Sequence, residues 1–394
     1  MAETCDVAII GGGAVGSSIA YFLASNPDFR GKVTVIERDP TYRFASSALS
    51  LSSIRLQFST PTNIHLSAFG IEFLKGAARH LEVDGEPANV GYIERPYLFL
   101  AGPEGRAVLE SNHRTQTETG YGDNIRLLDP AELRDRFPWL NTDGVALGSL
   151  GVKDEGWFDG YGLLQAFRRK ARSLGVTYVT QEVVGIERRG RRIEAVKLGD
   201  GTRLACGIAV NAAGPGAGKV AALAGVDLPV EPRRRCVFVF DCREKLPGCP
   251  LLIDASGAFF RPEGQYFIGG ISPPPELEPE VPDFEVNYSE WDDLIWPPLA
   301  ERVPALAAVK VINAWAGHYD YNTFDHNGIL GPHVEIDNFL LANGFSGHGI
   351  QQSPATGRGI SELIAYGKYR SLDLTPFGHA RIVENRPVKE INVV

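Results

Sequence analysis

An α/β fold, with one parallel βαβ domain assembled from the start, middle and end of the chain, is predicted by three glycine-rich passages in this 394-residue sequence. The first, Gly11-Gly12-Gly13-Ala14-Val15-Gly16, follows the apolar run Asp6-Val7-Ala8-Ile9-Ile10 and opens a helix-like stretch, Ser17 to Ala24. The second, Gly214-Pro215-Gly216, ends the strand-like Ala209-Val210-Asn211-Ala212. The third, Gly344-Phe345-Ser346-Gly347-His348-Gly349-Ile350, precedes a helix-like Ala355 to Tyr366.

The first passage carries the clearest chemistry. In G-x-G-x-x-G, one glycine allows the tight strand-to-helix turn, one lets bare backbone approach a pyrophosphate, and one lets the helix pack closely on the strand. Gly11, Gly13 and Gly16 take these places, with Ala14 and Val15 between them. The ligand's negative charge is then favoured by unpaired N–H groups and the dipole at a helix N-terminus. A second apolar run, Val33-Thr34-Val35-Ile36, leads into Glu37 and Arg38. An acid about 20 residues past the fingerprint is where a free ribose hydroxyl is held, and an acid there disfavours a 2′-phosphate.

The serine-rich passage Ala45 to Ser53 is too apolar for a flexible linker and reads as an ordered loop. Between about 80 and 150 the pattern is of short mixed elements, with turn signals at Pro103-Glu104-Gly105 and Asp129-Pro130. Helical spacing returns in Tyr161 to Leu174, followed by the strand-like Val176 to Val179 and a hairpin through Asp200-Gly201. From about 230 to 320 the chain reads mainly as strands, Cys236 to Phe240 and Tyr266 to Ile268 among them. The proline-rich, acidic Ser272 to Pro282 reads as an exposed loop, because proline removes ladder donors. The expected division is a discontinuous domain of residues 1–80, 150–225 and 322–394, and a smaller one of 81–149 and 226–321.

Composition narrows the function classes. A chain 44% hydrophobic and 22% charged is that of an ordinary globular protein. The net charge of −9 disfavours nucleic acid, and the basic run Arg233-Arg234-Arg235 reads as a solvated strand edge. Glycines and serines interrupt the apolar stretch Val7 to Ala24, so no integral membrane segment is expected. With no basic leader ahead of the first strand, a cytoplasmic location is expected. The five cysteines lack metal-like spacing, so neither a zinc site nor a disulfide framework is expected.

The three glycine stations, in this order over the whole length, resemble the FAD-dependent oxidoreductases of the D-amino-acid oxidase, glycine oxidase and sarcosine oxidase superfamily. Gly344 to Gly349 is the most specific of them. Trp315 to Asp325, with Gly328 and Gly331-Pro332, is similar to the branch of FAD-dependent oxidoreductase domain-containing proteins associated with respiratory complex I assembly. The resemblance implies FAD, a discontinuous Rossmann-like FAD-binding domain, and a second domain whose antiparallel sheet roofs the flavin ring. It places Gly11, Gly13 and Gly16 at the pyrophosphate, Glu37 at the ribose, and Ser46 and Ser47 on the phosphate side. Val183 or Val184 would lie by the adenine, and Ala213-Gly214 would approach the cofactor by backbone. Gly347, His348, Gly349, Ile350 and Gln351 would line the flavin.

Such a flavin performs the redox step, so the protein must hold a substrate C–H bond against it. A planar guanidinium suits an amino-acid carboxylate. Arg55 falls where sarcosine-oxidase-like proteins hold an arginine, and Arg261 lies on a strand expected to face the ring. His318, Tyr319 and Tyr321 could hydrogen-bond an amine. His318 occupies the approximate place of the flavin-tethering cysteine of monomeric sarcosine oxidases, so a cysteinyl link is not expected. By the same resemblance, Phe267 replaces the oxygen-activating lysine and Gln351 a carboxylate-binding lysine. The expected partners are therefore a small carboxylate-bearing amine and either O2 or a quinone or electron-transfer protein. The expected reaction is oxidation of the C–N bond of an amino acid or N-substituted amino acid. Oxidation of a 2-hydroxy acid, or a weakly catalytic role with a peripheral respiratory-chain partner, are the alternatives.

Overall fold

The computed structural model describes residues 3–273 and 283–391. Strand Glu3–Ile10 lies parallel to Arg203–Asn211 on one side and to Val33–Glu37 on the other, with Thr177–Thr180 beyond. Val7, Ala8 and Ile9 are almost wholly buried, as a near-continuous apolar run must be in a parallel strand covered on both faces. One face carries helices Ala14–Ala24, Gly160–Ser173 and Gly349–Tyr366, and Pro61–Lys75 packs on the last of these.

Strand Arg203–Asn211 is the organising element. Its first half pairs antiparallel with Arg192–Leu198, the inner strand of a hairpin with Val183–Arg189; its last residues, Ala209 to Asn211, pair in parallel with Phe339–Asn343. Ile10, Asn211 and Leu341 therefore stand side by side. The three glycine passages leave the sheet at this one carboxyl edge, where open α/β sheets bind ligands.

A second sheet of eight strands runs in the order Val309–Asn322, Val230–Cys242, Tyr266–Ile271, Ala258–Glu263, Leu251–Ile253, Tyr97–Ala101, Leu147–Gly151, Ile125–Leu128. It is antiparallel throughout except where Leu251–Ile253 runs parallel to Tyr97–Ala101. Phe238, Phe240, Phe260 and Phe267 fill one of its faces beneath the helical segment that carries Trp291, Ile295 and Leu299. A small sheet of Ser53–Ile54, Gly156–Trp157 and Ile93–Glu94 joins the regions.

Several elements differ from the sequence reading. Asp129-Pro130 is a helix start: Asp129 caps Pro130–Arg136 in a reciprocal capping box with Glu132. Arg106–Glu118 is a full helix whose polar surface hid its period. The serine-rich loop contains a short helix, Ser46–Leu49. Arg233, Arg234 and Arg235 are half-buried or buried, because their strand has a neighbour on each side. Residues 274–282 of the expected exposed loop lie outside the described residues. The five cysteines are free and buried, and among the described residues no helix is long and apolar enough to cross a membrane.

The C-terminal segment locks the end of the long strand Val309–Asn322. Arg381 donates to both oxygens of Asp325, Nε at 2.7 Å and Nη2 at 2.9 Å, with both side chains buried. Glu390 accepts from Ser59, Thr60 and Asn63, tying the C-terminus to the start of helix Pro61–Lys75.

Candidate active site

A cavity of about 830 Å³ lies between the carboxyl edge of the first sheet and the second sheet, within the range of cofactor and small-molecule sites. At its nucleotide-like end the backbone is closely fitted. Gly11 has φ +100°, and a Cβ there would collide with the Ala212 carbonyl; one at Gly16 would collide with the Gly11 carbonyl. Gly16 thus serves close packing and does not line the cavity. Gly13 does line it, and a Cβ there would meet only Ser47 Oγ, at 3.6 Å. The Ala14 N–H donates to Ser47 Oγ at 3.1 Å, and Val15 completes this wall. Glu37 ends its strand at the cavity, its carboxylate accepting from the N–H of Gly12 at 2.8 Å and of Asp39 at 2.9 Å. Arg38 also lines it, exposed, 3.6 Å from Glu182.

Ala213 and Gly214 form the facing wall. Val183 and Val184 do not line the cavity: Val183 is in the core and Val184 is 53% exposed. The wall there is Thr180, Gln181 and Glu182, because the chain has already turned away into its hairpin by 183.

At the other end Gly347, His348, Gly349, Ile350 and Gln351 all line the cavity. Gly347 has φ +99°, and a Cβ would lie 2.5 Å from the Tyr319 ring. The long strand holds this turn in place: Asp320 accepts from the Gly344 N–H at 2.8 Å, and Ser346 N–H donates to the Asp320 carbonyl at 3.0 Å. Burial pushes the Asp320 carboxyl up to about 6, opposed by the backbone N–H groups of Phe345, Asp320 and Gly344. Ser46 Oγ donates to the His318 carbonyl at 2.6 Å, so the short helix and the long strand are joined across the cavity.

Arg55, 4% exposed, faces the same end. Its guanidinium sits 4.4 Å from the Phe58 ring centroid and 5.6 Å from that of Phe99, and Nε donates to the Gln57 carbonyl at 3.3 Å. Its Nη2 lies 3.3 Å from His348 Nε2. Arginine only donates, so that contact assigns Nε2 as the acceptor and the ring proton to Nδ1. Gln351 Oε1 accepts the Arg55 N–H at 3.1 Å.

Behind Arg55 stands Glu155, a residue the sequence reading missed. It accepts from the Leu56 N–H at 2.9 Å and from Gln57 Nε2 at 3.0 Å, while Ser149 Oγ donates to Gln57 Oε1 at 2.7 Å. A Cβ at Gly151 would collide with its carboxylate. Desolvation pushes the Glu155 carboxyl up to about 7, against the Gln57 and Leu56 donors and the Arg55 charge. No motif marks Glu155, since its significance arises only from enclosure.

His318 and Tyr319 also line the cavity, with the Phe284 ring 4.3 Å from that of His318. Besides Gly16, Val183 and Val184, three more expected residues do not. Arg261 donates to the Leu51 carbonyl at 2.9 Å, pairs with Glu263 and lies over Trp157, so it braces the loop ahead of Arg55. Tyr321 lies 2.9 Å from His326 Nε2, one pleat beyond the cavity. Phe267 stacks on Phe240 in the core of the other face and does not line the cavity, so the position of the family's oxygen-activating lysine is not found at Phe267 in this cavity wall. In their place the structure brings in Arg235, whose alternation with Arg233 along one strand was its only signal.

Comparison with known proteins accords with this architecture. The family model DAO, described as FAD dependent oxidoreductase, matches residues 6–363. FAD-dependent oxidoreductase domain-containing protein 1 of Xenopus laevis is 43% identical over all of this chain and 85% of its own length, and that of Bos taurus is 41% identical over 98% and 87%. Among solved structures, L-proline dehydrogenase from P. horikoshii superposes with a TM-score of 0.85 at 26% identity, covering 98% of this chain and 100% of the other. Glycine oxidase from Geobacillus kaustophilus shares the fold, with a TM-score of 0.80 at 23% identity over 95% and 98% of the two chains. The chain belongs to the DAO family and is an FAD-dependent oxidoreductase.

Proposed function

We propose that this enzyme oxidises the C–N bond of an amino acid or N-substituted amino acid. The observation that carries the reading is Arg55: a buried guanidinium, held between two rings and against His348, on the same cavity end as the Gly347–Gln351 turn. A planar guanidinium facing the cavity presents parallel donors that suit both oxygens of a substrate carboxylate.

The residues present fit FAD. A helix N-terminus with no acid in its first turn faces a wall where Gly13 leaves room for phosphate, and Glu37, at the cavity end of its strand, would hold the ribose. Ser47, Ala213 and Gly214 would flank the pyrophosphate, and Gly347 to Gln351 the ring. FAD supplies the two-electron acceptor for a hydride from the substrate carbon.

The chain's own residues do the rest. Arg55 binds the carboxylate, and His348 fixes the guanidinium plane through Nε2. His318 and Tyr319 flank the amine and orient its lone pair. Leu49, Val237, Phe259 and Ile271 give that end apolar walls that exclude water. Among relatives, glycine oxidase and mitochondrial sarcosine dehydrogenase bear names for chemistry on such amines, at 27% and 25% identity.

The test is anaerobic addition of amino acids, N-methyl and N-carboxyalkyl amino acids and 2-hydroxy acids to the flavin-loaded enzyme, following the flavin band near about 450 nm, the reporter of electron transfer to the cofactor. Bleaching by amines is the expected result. Bleaching by 2-hydroxy acids alone, or by nothing while FAD stays bound, overturns the proposal. Reoxidation by air or by a quinone then identifies the acceptor.

A further inference from the structure

Away from the cofactor cavity, a groove of about 540 Å³ lies between helix Gly160–Ser173 and the segment 87–89. Gln165, Arg168, Arg169 and Arg172 line it at the three- and four-residue spacing that puts side chains on one face of a helix, and Pro87 and Asn89 line it from the segment. No residue lines both this groove and the cofactor cavity.

The groove offers donors, and no carboxylate lines it. The Arg168 guanidinium lies 5.5 Å from the Tyr42 ring centroid and 5.7 Å from that of Tyr178; its Nη1 donates to Gln165 Oε1 at 3.2 Å, and its Nε is buried without a partner. Gln165 is left with its NH2 group to give. Asn89 is in the same state, since its Oδ1 accepts the Gly91 N–H at 3.0 Å. Arg169 and Arg172 are exposed, and among the described residues neither they nor Arg168 pairs with a carboxylate. Asp159, at the start of the helix, accepts the Gly162 N–H at 2.8 Å, while Glu82, Asp84 and Glu86, just before Pro87, are exposed and stand outside the lining.

We infer that this groove binds the phosphate groups of a small phosphorylated ligand. Three guanidinia and two amide NH2 groups call for an anion with more acceptor oxygens than one carboxylate has, and each planar fork can pair with two phosphate oxygens at once. The two tyrosine rings hold the Arg168 guanidinium, so less freedom is lost when an anion arrives. They also set the groove on the reverse of the nucleotide-like end: Tyr42 lines the cofactor cavity, and Tyr178 Oη donates at 3.1 Å to Ser17 Oγ, which donates to the Gly12 carbonyl at 2.7 Å. A phosphate ligand of this groove is therefore distinct from the pyrophosphate of FAD, and both can be bound together.

The experiment is calorimetric titration of the FAD-loaded enzyme with inorganic pyrophosphate, and with citrate as an anion of similar charge that carries only carboxylates, at one ionic strength. Wild type is expected to bind pyrophosphate saturably and more tightly than citrate. Arg169→Gln combined with Arg172→Gln, at two exposed positions, should weaken pyrophosphate about tenfold or more, the scale of a charge-assisted hydrogen-bonded contact, while flavin content and melting temperature stay as in wild type. No saturable binding in wild type, citrate bound as tightly as pyrophosphate, or an affinity unchanged in the double variant overturns the inference. Vesicles containing phosphatidate are the second arm. Wild type that sediments with them while the double variant does not, with no binding of free pyrophosphate, assigns the phosphate to a lipid surface and overturns the small-ligand reading.

Discussion

Glu155 makes the stability of this enzyme depend on pH in a defined window. Its carboxyl is enclosed and raised from an ordinary 4.5 to about 7, chiefly by desolvation. Between those values the unfolded chain has released a proton that the folded protein still holds. The protonated group therefore stabilises the fold fully below about pH 4.5, and the contribution drains away as the pH rises through about 7. The slope approaches about 1.36 kcal/mol per pH unit between the two values and falls as the folded group itself titrates, so from pH 5.5 to 8.5 the loss is about 2 kcal/mol, most of it below pH 7. Glu155→Gln has no such titration. Its amide still accepts the Leu56 N–H but directs a donor at Gln57 Nε2, so the variant is less stable at every pH and the slopes, not the heights, are compared. Urea unfolding with excess FAD, followed by tryptophan fluorescence, measures both curves. Wild type should lose about 2 kcal/mol relative to the variant between pH 5.5 and 8.5, most of it below pH 7. Parallel curves, or wild type gaining on the variant, would refute the reasoning.

Gly347→Ala places a methyl against the Tyr319 ring at a φ of +99°, costing roughly 1–3 kcal/mol in backbone strain alone; purified protein should carry substoichiometric flavin and melt at a lower temperature. Glu37→Gln exchanges a carboxylate that two backbone N–H groups share with the proposed ribose, so the Kd for FAD should rise about tenfold by flavin fluorescence. Arg55→Lys keeps the charge but loses the planar fork, and KM for the amine substrate should rise at least several-fold. Arg261→Gln releases the Leu51 carbonyl, so chemical denaturation should show a loss of about 1–3 kcal/mol, with a smaller effect on KM than Arg55→Lys.

Short-range patterns made the first domain legible. The strand, glycine turn, helix and acid of residues 6–37 are each dictated by contacts within a few residues or by the bare backbone a phosphate needs, and they stand where the chain places them. Gly347 could be read likewise, since a positive φ admits few other residues. Which side chains enter the cavity was decided by tertiary structure. A strand dictates only that neighbours alternate between faces; which face meets the cavity, and where along it the cavity stops, depends on how two sheets pack and twist. Phe259 lines the cavity while Arg261, on the same face, has passed its edge; Tyr319 lines it and Tyr321 has passed it. Arg235 reaches the cavity through the same geometry, from a run that reads as solvated charge. Glu155 is the extreme case: nothing in Asp154-Glu155-Gly156 sets it apart, and only enclosure beside Gly151, Gln57 and Arg55 turns an ordinary acid into one whose proton is held to near neutrality.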